Sequence, residues 1–183
     1  GTDNEIMTVS LDRPRLNLFS PQMIEELISV WQGLRNQPDV RFVILTASGD
    51  HFSAGADLDA MAKHGFTWES ARVGQLAGHE VMRSLESVEQ VTVAALKGVV
   101  VGAGMAVATA CDFRIMTETS YYSVPETMVG TYFTWGCTPR LVRMVGASKA
   151  MEIIMTCDPV PADEAYRLNL ANQVVPDGEL MNA

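Results

Sequence analysis

Segments with hydrophobic side chains at strand spacing alternate along the chain with segments at helical spacing. Residues 6–11 alternate apolar and polar side chains, which predicts a short strand. Ser20 and Pro21 have the character of a helix start, and the apolar positions behind them repeat at helical spacing as far as Leu34. Residues 42–45 are a continuous apolar run, typical of a strand covered on both faces.

The same alternation continues through the rest of the chain. The spacing predicts a long helix over 69–87 and a buried strand over 91–96, and the glycines near residue 103 precede a helix of small residues over 105–110. Further predicted elements are strands over 112–116 and 121–124 and helices over 140–145 (capped by Thr138 and Pro139), 149–156 (capped by Ser148) and 161–169. This order favours α/β layers with a largely parallel sheet.

Composition limits the classes of protein that fit this pattern. With 183 residues, 48% of them hydrophobic and 19% charged, the chain suits one domain with a sizeable core. The formal net charge is −9 and lysine and arginine do not cluster, so we expect no binding to nucleic acid or to an anionic membrane. The longest uncharged stretch, 98–111, is shorter than the roughly 20 residues of a membrane span, and we expect it in the core.

The cysteines and the first residues of the chain indicate the cellular compartment to expect. Cys111, Cys137 and Cys157 are widely spaced and no histidine completes a metal site, so we expect reduced thiols, no metal and a cytoplasmic location. The first residues do not combine a basic segment with an apolar one, and no signal or transit peptide is expected.

Two glycine-containing segments are the first candidates for chemistry, because each follows a predicted buried strand. They are residues 51–58 and 98–105. At a helix start the backbone N–H groups have no partner within the helix and point outward. Two such donors from separate loops can converge on one oxygen that gains negative charge, and small residues let a ligand reach the backbone. Two tight turns without a function are the other interpretation.

Taken together, the motifs resemble those of the enoyl-CoA hydratase/isomerase, or crotonase, superfamily. They are DRPRLN at 12–17, FSAGADL at 52–58, the segment 98–104 followed by Cys111 and Asp112, SVPET at 123–127, Gly130, and residues 140–146. The resemblance runs nearly end to end. It implies a crotonase-like α/β spiral of repeated β-β-α units with helices packed on the sheets. It also implies an enzyme of fatty acid metabolism that holds no permanent cofactor and takes coenzyme A as part of its substrate.

The resemblance further assigns roles to particular residues. The N–H groups of Ala56 and Ala103 would form the oxyanion hole for a thioester carbonyl, and Glu126 would be the acid/base, its pKa raised by apolar neighbours. The coenzyme A contacts would come from Arg13, Arg15, Ala54, Asp57, Leu58 and Lys63. The substrate pocket would be lined by Met105, Met128, Tyr132, Phe133 and Trp135, although core packing explains the aromatic side chains equally well.

Two departures from the family pattern narrow the reaction. Ala106 stands where hydratases of the family carry the first of two glutamates, which favours reactions served by one carboxylate, either double-bond isomerisation or single-glutamate hydration. Thr134 replaces an aspartate found in dienoyl isomerases and some hydrolases. A hydratase-lyase, a thioester hydrolase, a decarboxylase and, from another class, a non-catalytic CoA-ester binding module remain alternatives.

Two unrelated enzyme classes and the end of the chain complete the expectations. Val107 occupies the place of the third glycine of a dinucleotide fingerprint, and His51 disturbs the nucleophile elbow around Ser53. Dinucleotide-binding enzymes and serine hydrolases are therefore both disfavoured.

The chain 1–183 is expected to be a single crotonase-like core that lacks the C-terminal helical segment of the family. A homotrimer or hexamer is the expected assembly, because this is the habit of the family.

Overall fold

Nine strands and seven helices lie in the part of the chain that the computed structural model describes, residues 2–3, 5–62 and 67–183. The strands are β1 (Thr2–Asp3), β2 (Ile6–Leu11), β3 (Phe42–Ala47), β4 (Val91–Leu96), β5 (Val99–Val101), β6 (Phe113–Thr117), β7 (Tyr121–Ser123), β8 (Val160–Pro161) and β9 (Gln173–Val175). The helices are α1 (Pro21–Gly33), α2 (Leu58–Ala62), α3 (Trp68–Glu86), α4 (Ala103–Ala110), α5 (Cys137–Val145), α6 (Ala147–Thr156) and α7 (Ala162–Arg167). Short 3₁₀ turns occupy Leu34–Asn36, Pro125–Thr127 and Asp177–Glu179.

The strands form two sheets, and the chain moves repeatedly from one to the other. The larger sheet has the order β1-β2-β3-β4-β6-β9 and is parallel from β2 to β9, whereas the smaller has the order β5-β7-β8. β4 lies in the larger sheet, β5 in the smaller, and α4 follows. β6, β7 and α5 repeat this order. The predicted spiral of β-β-α units with helices packed on the sheets is therefore confirmed.

The core lies between the sheets and the helices and explains why these segments adopt their conformations. β3 and β4 contribute buried apolar side chains from both faces, as their continuous apolar sequences predict. The hydroxyl of Ser20 accepts a hydrogen bond from the Met23 N–H at 3.2 Å and so begins α1, whose apolar face packs on α3. α4 is buried along almost its whole length, because its alanines and glycine allow close packing on every side.

Both predicted caps in the C-terminal half are wrong. α5 begins at Cys137, after Gly136 with φ 72°, and the Thr138 hydroxyl donates instead to the Phe133 carbonyl at 2.7 Å. α6 begins at Ala147, one residue before Ser148. In both places a glycine at positive φ turns the chain into the helix, a conformation open to glycine without strain and independent of a side-chain cap.

Two further observations concern the state of the cysteine thiols and the length and apolarity of the helices. Cys111, Cys137 and Cys157 are free thiols, and all three are buried. None of the helices within the described ranges combines the length and apolarity needed to cross a lipid bilayer.

Candidate active site

The two glycine-containing segments lie side by side. Ser53 pairs with Val100 in a parallel bridge: the Ser53 N–H donates to the Val99 carbonyl at 3.1 Å, and the Val101 N–H donates to the Ser53 carbonyl at 2.9 Å. Ala56 and Ala103 each lie three residues beyond this bridge. A β-carbon placed on Gly55 would lie 3.7 Å from the Ala103 nitrogen. The backbone pairing therefore brings the neighbourhoods of Ala56 and Ala103 together.

Both alanines keep an N–H group that is not engaged elsewhere. On the far side of the first segment, the Phe19 N–H donates to the Gly55 carbonyl at 2.8 Å and the Asp57 N–H donates to the Phe19 carbonyl at 3.1 Å. Successive groups of an extended chain point to opposite sides, so the Ala56 N–H points away from Phe19. Ala103 is the first residue of α4, so its N–H group has no partner within the helix. Within the described part of the chain, neither N–H donates a hydrogen bond.

The start of α4 also favours negative charge. The aligned peptide dipoles of a helix place about half a positive charge at its N-terminus. Ala103 is not among the residues with positive φ, so an alanine is accommodated there without backbone strain.

Glu126 reaches the same place from the 3₁₀ turn that follows β7. β5 and β7 are parallel with Val101 opposite Ser123, so the residues that follow them leave the same edge of the small sheet. A β-carbon on Gly102 would lie only 2.6 Å from Oε1 of Glu126. Gly102 also has φ 50°, a left-handed conformation that other residues rarely adopt. The absence of a side chain at Gly102 therefore lets the carboxyl group of Glu126 approach the start of α4.

The carboxyl group of Glu126 lacks the partners that usually stabilise a carboxylate. Its Oε2 atom is buried and makes no hydrogen bond to any described residue, and none of them forms an ion pair with it. Burial raises the pKa of Glu126 above its ordinary range, and a backbone hydrogen bond offsets part of that effect. A carboxyl with a raised pKa suits the uptake and return of a proton near neutral pH.

Nearby carboxylates and Ala106 do not duplicate this role. Ala106 is fully buried one turn into α4 and carries no titratable group. The Asp57 carboxylate accepts from the Ala60 N–H at 2.8 Å, caps α2 and forms an ion pair with Arg13. Glu86 is paired with Arg140 at 2.5 Å. Of these carboxyl groups in the described part of the chain, that of Glu126 is therefore the one without an ion-pair partner.

The residues predicted to contact coenzyme A fall into different environments. Arg13 is held by Asp57 and donates to the Leu18 carbonyl at 3.3 Å, so it braces the first segment. Arg15 is exposed in the same turn, with φ 75°. Leu58 is exposed at the start of α2, and Ala54 is partly buried and donates its N–H to the Leu16 carbonyl. Lys63 lies outside the described residues.

The five residues predicted to line the substrate pocket are divided between core and surface. Met105 is fully buried, and Phe133 and Trp135 lie in the hydrophobic core, so core packing applies to these two aromatic side chains. The Trp135 ring stands edge-on to Phe19, with centroids 5.9 Å apart. Met128 and Tyr132 are each 77% exposed.

Sequence reasoning missed the residues that brace the first segment. The Ser53 hydroxyl donates to the Asn17 carbonyl at 2.8 Å and accepts from the Gly55 N–H at 3.1 Å, so its bonds are structural and do not fit a nucleophile. The buried Asn17 side chain accepts from the Arg13 N–H at 2.8 Å and donates to the carbonyls of Ser48 and His51. The available signal in the sequence is an asparagine in a predicted turn, because its side chain often bonds to the turn backbone.

The fold and the site define a class: an α/β spiral that presents two backbone N–H groups, from separate segments, near one half-buried carboxyl. The sequence profile of the family described as enoyl-CoA hydratase/isomerase matches residues 1–183. The chain belongs to this family of enzymes, the crotonase superfamily, as the motifs predict.

Individual relatives agree with this assignment. The chain is similar to the short-chain-enoyl-CoA hydratase of Clostridium acetobutylicum, with 37% identity over 182 residues that cover 98% of this chain and 69% of the relative. It is similar to the crotonyl-CoA hydratase of Syntrophomonas wolfei, with 33% identity over 181 residues and coverage of 98% and 69%. The crystal structure of an enoyl-CoA hydratase from Bacillus anthracis matches with a TM-score of 0.92 and 33% identity, over 97% of this chain and 69% of that chain.

Proposed function

We propose that this enzyme binds enoyl-CoA thioesters with the carbonyl oxygen between the N–H groups of Ala56 and Ala103 and moves a proton with Glu126. The observation that carries the proposal is the pairing of Ser53 with Val100, which brings together two segments that each offer an unengaged N–H. The start of the second segment lies beside the carboxyl of Glu126, whose Oε2 atom makes no hydrogen bond to a described residue. The names of the relatives support a CoA thioester as the substrate class.

The geometry supports isomerisation of a 3-enoyl-CoA to a 2-enoyl-CoA best. The Glu126 carboxylate takes a proton from the α-carbon, and the electron pair of that C–H bond delocalises onto the thioester oxygen. Two fixed N–H donors and the start of α4 stabilise the resulting oxyanion, each donor by about 3 kcal/mol. Glu126, now neutral, donates a proton to the carbon two positions further along, and the double bond shifts. One carboxyl completes the cycle.

Hydration is the second candidate, favoured by the names of the relatives. In this reaction a water molecule adds its hydroxyl to the β-carbon and a proton to the α-carbon. Glu126 would have to serve both steps alone, because Ala106 offers no carboxylate to orient the water. We therefore place hydration second.

The discriminating experiment compares a 3-enoyl-CoA and the matching 2-enoyl-CoA as substrates of the same preparation. We expect isomerisation to exceed hydration in kcat/KM by about a hundredfold or more, the low end of what one acid/base group contributes. In D₂O the α-proton of the thioester should also exchange. Hydration faster than isomerisation would reverse the order of the two candidates. Binding of the esters without turnover or exchange would identify a non-catalytic CoA-ester module.

We also propose a homotrimer, or a pair of trimers, in a reducing cytoplasmic environment. Met128, Val129 and Tyr132 form an exposed apolar stretch of the kind that subunit contacts cover. Light scattering on the purified protein measures the assembly directly, and a monomer at micromolar concentration would contradict it. Titration of the denatured protein under non-reducing conditions should find all three thiols free.

A further inference from the structure

The turn over residues 13–19 holds the first segment by its backbone. On one side of the proposed donor, the Ala54 N–H donates to the Leu16 carbonyl at 3.0 Å. On the other side, the Asp57 N–H donates to the Phe19 carbonyl at 3.1 Å. The stretch between these two bonds has little freedom to move by itself. The place of the donor therefore follows from the conformation of the turn.

One peptide unit passes the position of the turn on to the donor itself. The Phe19 N–H donates to the Gly55 carbonyl at 2.8 Å. That carbonyl and the Ala56 N–H belong to the same peptide unit, and they point in opposite directions because a trans peptide bond is planar. The bond from Phe19 therefore aims the Ala56 N–H away from the turn. A tilt of this peptide plane would tilt the donor by the same angle.

Asn17, which is only 3% exposed, closes the turn with its side chain. Its Oδ1 atom accepts from the Arg13 N–H at 2.8 Å, and its own N–H donates to the Arg13 carbonyl at 3.3 Å. Its Nδ2 atom donates to the carbonyls of Ser48 and His51, which follow β3, at 3.0 and 2.9 Å. Both hydrogens of the amide are thus used inside the protein, so the amide holds the turn and does not bind a ligand.

A second connection runs from the backbone of Asn17 to the same peptide unit. Its φ of 49° lies in the left-handed region, which asparagine adopts more readily than most residues. In this conformation the Asn17 carbonyl accepts from the Ser53 hydroxyl at 2.8 Å, and the same hydroxyl accepts from the Gly55 N–H at 3.1 Å. One side chain therefore links Asn17 to the residue that precedes Ala56.

We propose that Asn17 is a positioning residue of the oxyanion hole, which fixes the direction of the Ala56 N–H without touching the substrate. This inference rests on the proposed function, because it takes Ala56 to be one of the two donors. A donor acts fully only when it is aligned with the oxygen that gains charge, since a hydrogen bond weakens steeply as its angle falls. Loss of the Asn17 amide should therefore lower catalysis even in a protein that stays folded.

The test compares the wild type with Asn17→Gly, Asn17→Ala, Ser53→Ala and Asn172→Ala. Glycine adopts the left-handed conformation without strain and removes only the amide, whereas alanine also disfavours that conformation. Asn172, just before β9, is the matched control, because its side chain also accepts from a backbone N–H, that of Arg114, at 2.8 Å.

Two quantities are measured: kcat for a 3-enoyl-CoA, and the infrared C=O stretch of bound butyryl-CoA labelled with ¹³C at the thioester carbonyl. Two aligned donors polarise the carbonyl and so lower its stretching frequency on binding. We expect Asn17→Gly to reduce kcat by about 10- to 100-fold and to reduce this frequency shift, with a larger effect in Asn17→Ala and a smaller one in Ser53→Ala. Asn172→Ala should keep the wild-type kcat and shift.

A wild-type kcat and frequency shift in folded Asn17→Gly would overturn the inference and leave the proposed function intact. A lower kcat with an unchanged shift, or an equal loss in Asn172→Ala, would also overturn it, because the role would then be only structural. If neither Asn17 variant folds, Ser53→Ala decides in their place. If no ester is turned over, the frequency shift alone decides. A wild-type protein that binds butyryl-CoA without any shift would contradict the oxyanion hole itself, and this inference with it.

Discussion

The two segments proposed to form the oxyanion hole and the loop that carries Glu126 are held in place in different ways. Residues 53–57 and 99–103 consist mostly of small residues and are fixed by backbone hydrogen bonds to each other and to Phe19. Residues 125–136 expose Met128, Val129 and Tyr132 and are fastened at fewer points, among them the bond from the Thr127 hydroxyl to the Ile154 carbonyl at 2.9 Å.

The difference separates the fixed part of the chemistry from the adjustable part. Donors to an oxyanion act best when they need no reorganisation during the reaction, and backbone pairing supplies that rigidity whatever the side chains are. A loop on a rigid scaffold tolerates changes in its side chains, which suits the choice of substrate. Substitutions at the donors should therefore affect kcat, whereas substitutions in the loop away from Glu126 should affect stability or the preference among substrates.

The largest effect is expected from Glu126→Gln, at the loop residue to which we assign the proton transfer. The amide cannot accept the α-proton, so kcat should fall by about 10²- to 10⁴-fold while the Kd of a CoA ester changes little. Steady-state kinetics and calorimetry measure the two quantities. Glu118→Gln, at an exposed glutamate after β6, is the control and should keep the wild-type kcat. A kcat within threefold of wild type for Glu126→Gln would remove Glu126 from the mechanism.

Ala103→Pro tests the fixed region by removing one donor. Proline is tolerated at the first position of a helix, so α4 should still form while the N–H is lost. We expect kcat to fall by about 10²- to 10³-fold. Ala147→Pro is a matched control, because Ala147 also opens a helix after a glycine with positive φ. If both variants retain full activity, the Ala103 N–H does not bind the oxyanion.

Because the pKa of Glu126 is raised, we expect the acid limb of the pH profile of kcat/KM to be displaced to higher pH. The carboxylate is the active form at the start of the cycle, so kcat/KM should fall about tenfold per pH unit below that pKa, at higher pH than an ordinary glutamate requires. An acid limb at the ordinary glutamate pKa, or one that persists in Glu126→Gln, would contradict this.

The same shift has a consequence for stability with a definite sign. The folded protein binds the proton of Glu126 more tightly than the unfolded chain does. This binding adds to the free energy of unfolding below the pKa that Glu126 has in the unfolded chain, and the addition is lost as the pH rises through its pKa in the folded protein. Glu126→Gln should therefore be more stable than wild type at neutral pH, and the difference should vanish in acid. Denaturant unfolding at the two pH values measures it, and an equal or lower stability of the variant at neutral pH would be the opposite outcome.

Thr127→Val should have the smallest effect. It removes the hydrogen bond to Ile154 that fastens the loop to α6, which costs about 1 kcal/mol of stability and a few-fold in kcat. Thr119→Val removes a hydroxyl bond to Asp177 in a remote turn and serves as the control. The two variants should lose similar stability, but only Thr127→Val should lose activity. Equal rates for both would show that this fastening does not position Glu126.

The sequence predicted the order of the longer strands and helices, because periodicity is local and the apolar runs at β3 and β4 are continuous. It did not predict the short elements β1, α2, β8 and β9, which are too short to show a period. It did not predict the bridge between Ser53 and Val100, since a pairing of single residues leaves no periodic signal. The contact of Trp135 with Gly78 was equally hidden, because it joins segments far apart in the chain. The motifs suggested which residues belong to the site, whereas only the fold shows which of them meet.

The most direct test of the two-donor account is a crystal structure of the Glu126→Gln protein with crotonyl-CoA bound. The account predicts that the thioester oxygen lies about 2.7–3.1 Å from the backbone nitrogens of both Ala56 and Ala103, with residue 126 facing the α-carbon. An oxygen beyond hydrogen-bonding distance of either nitrogen would contradict it.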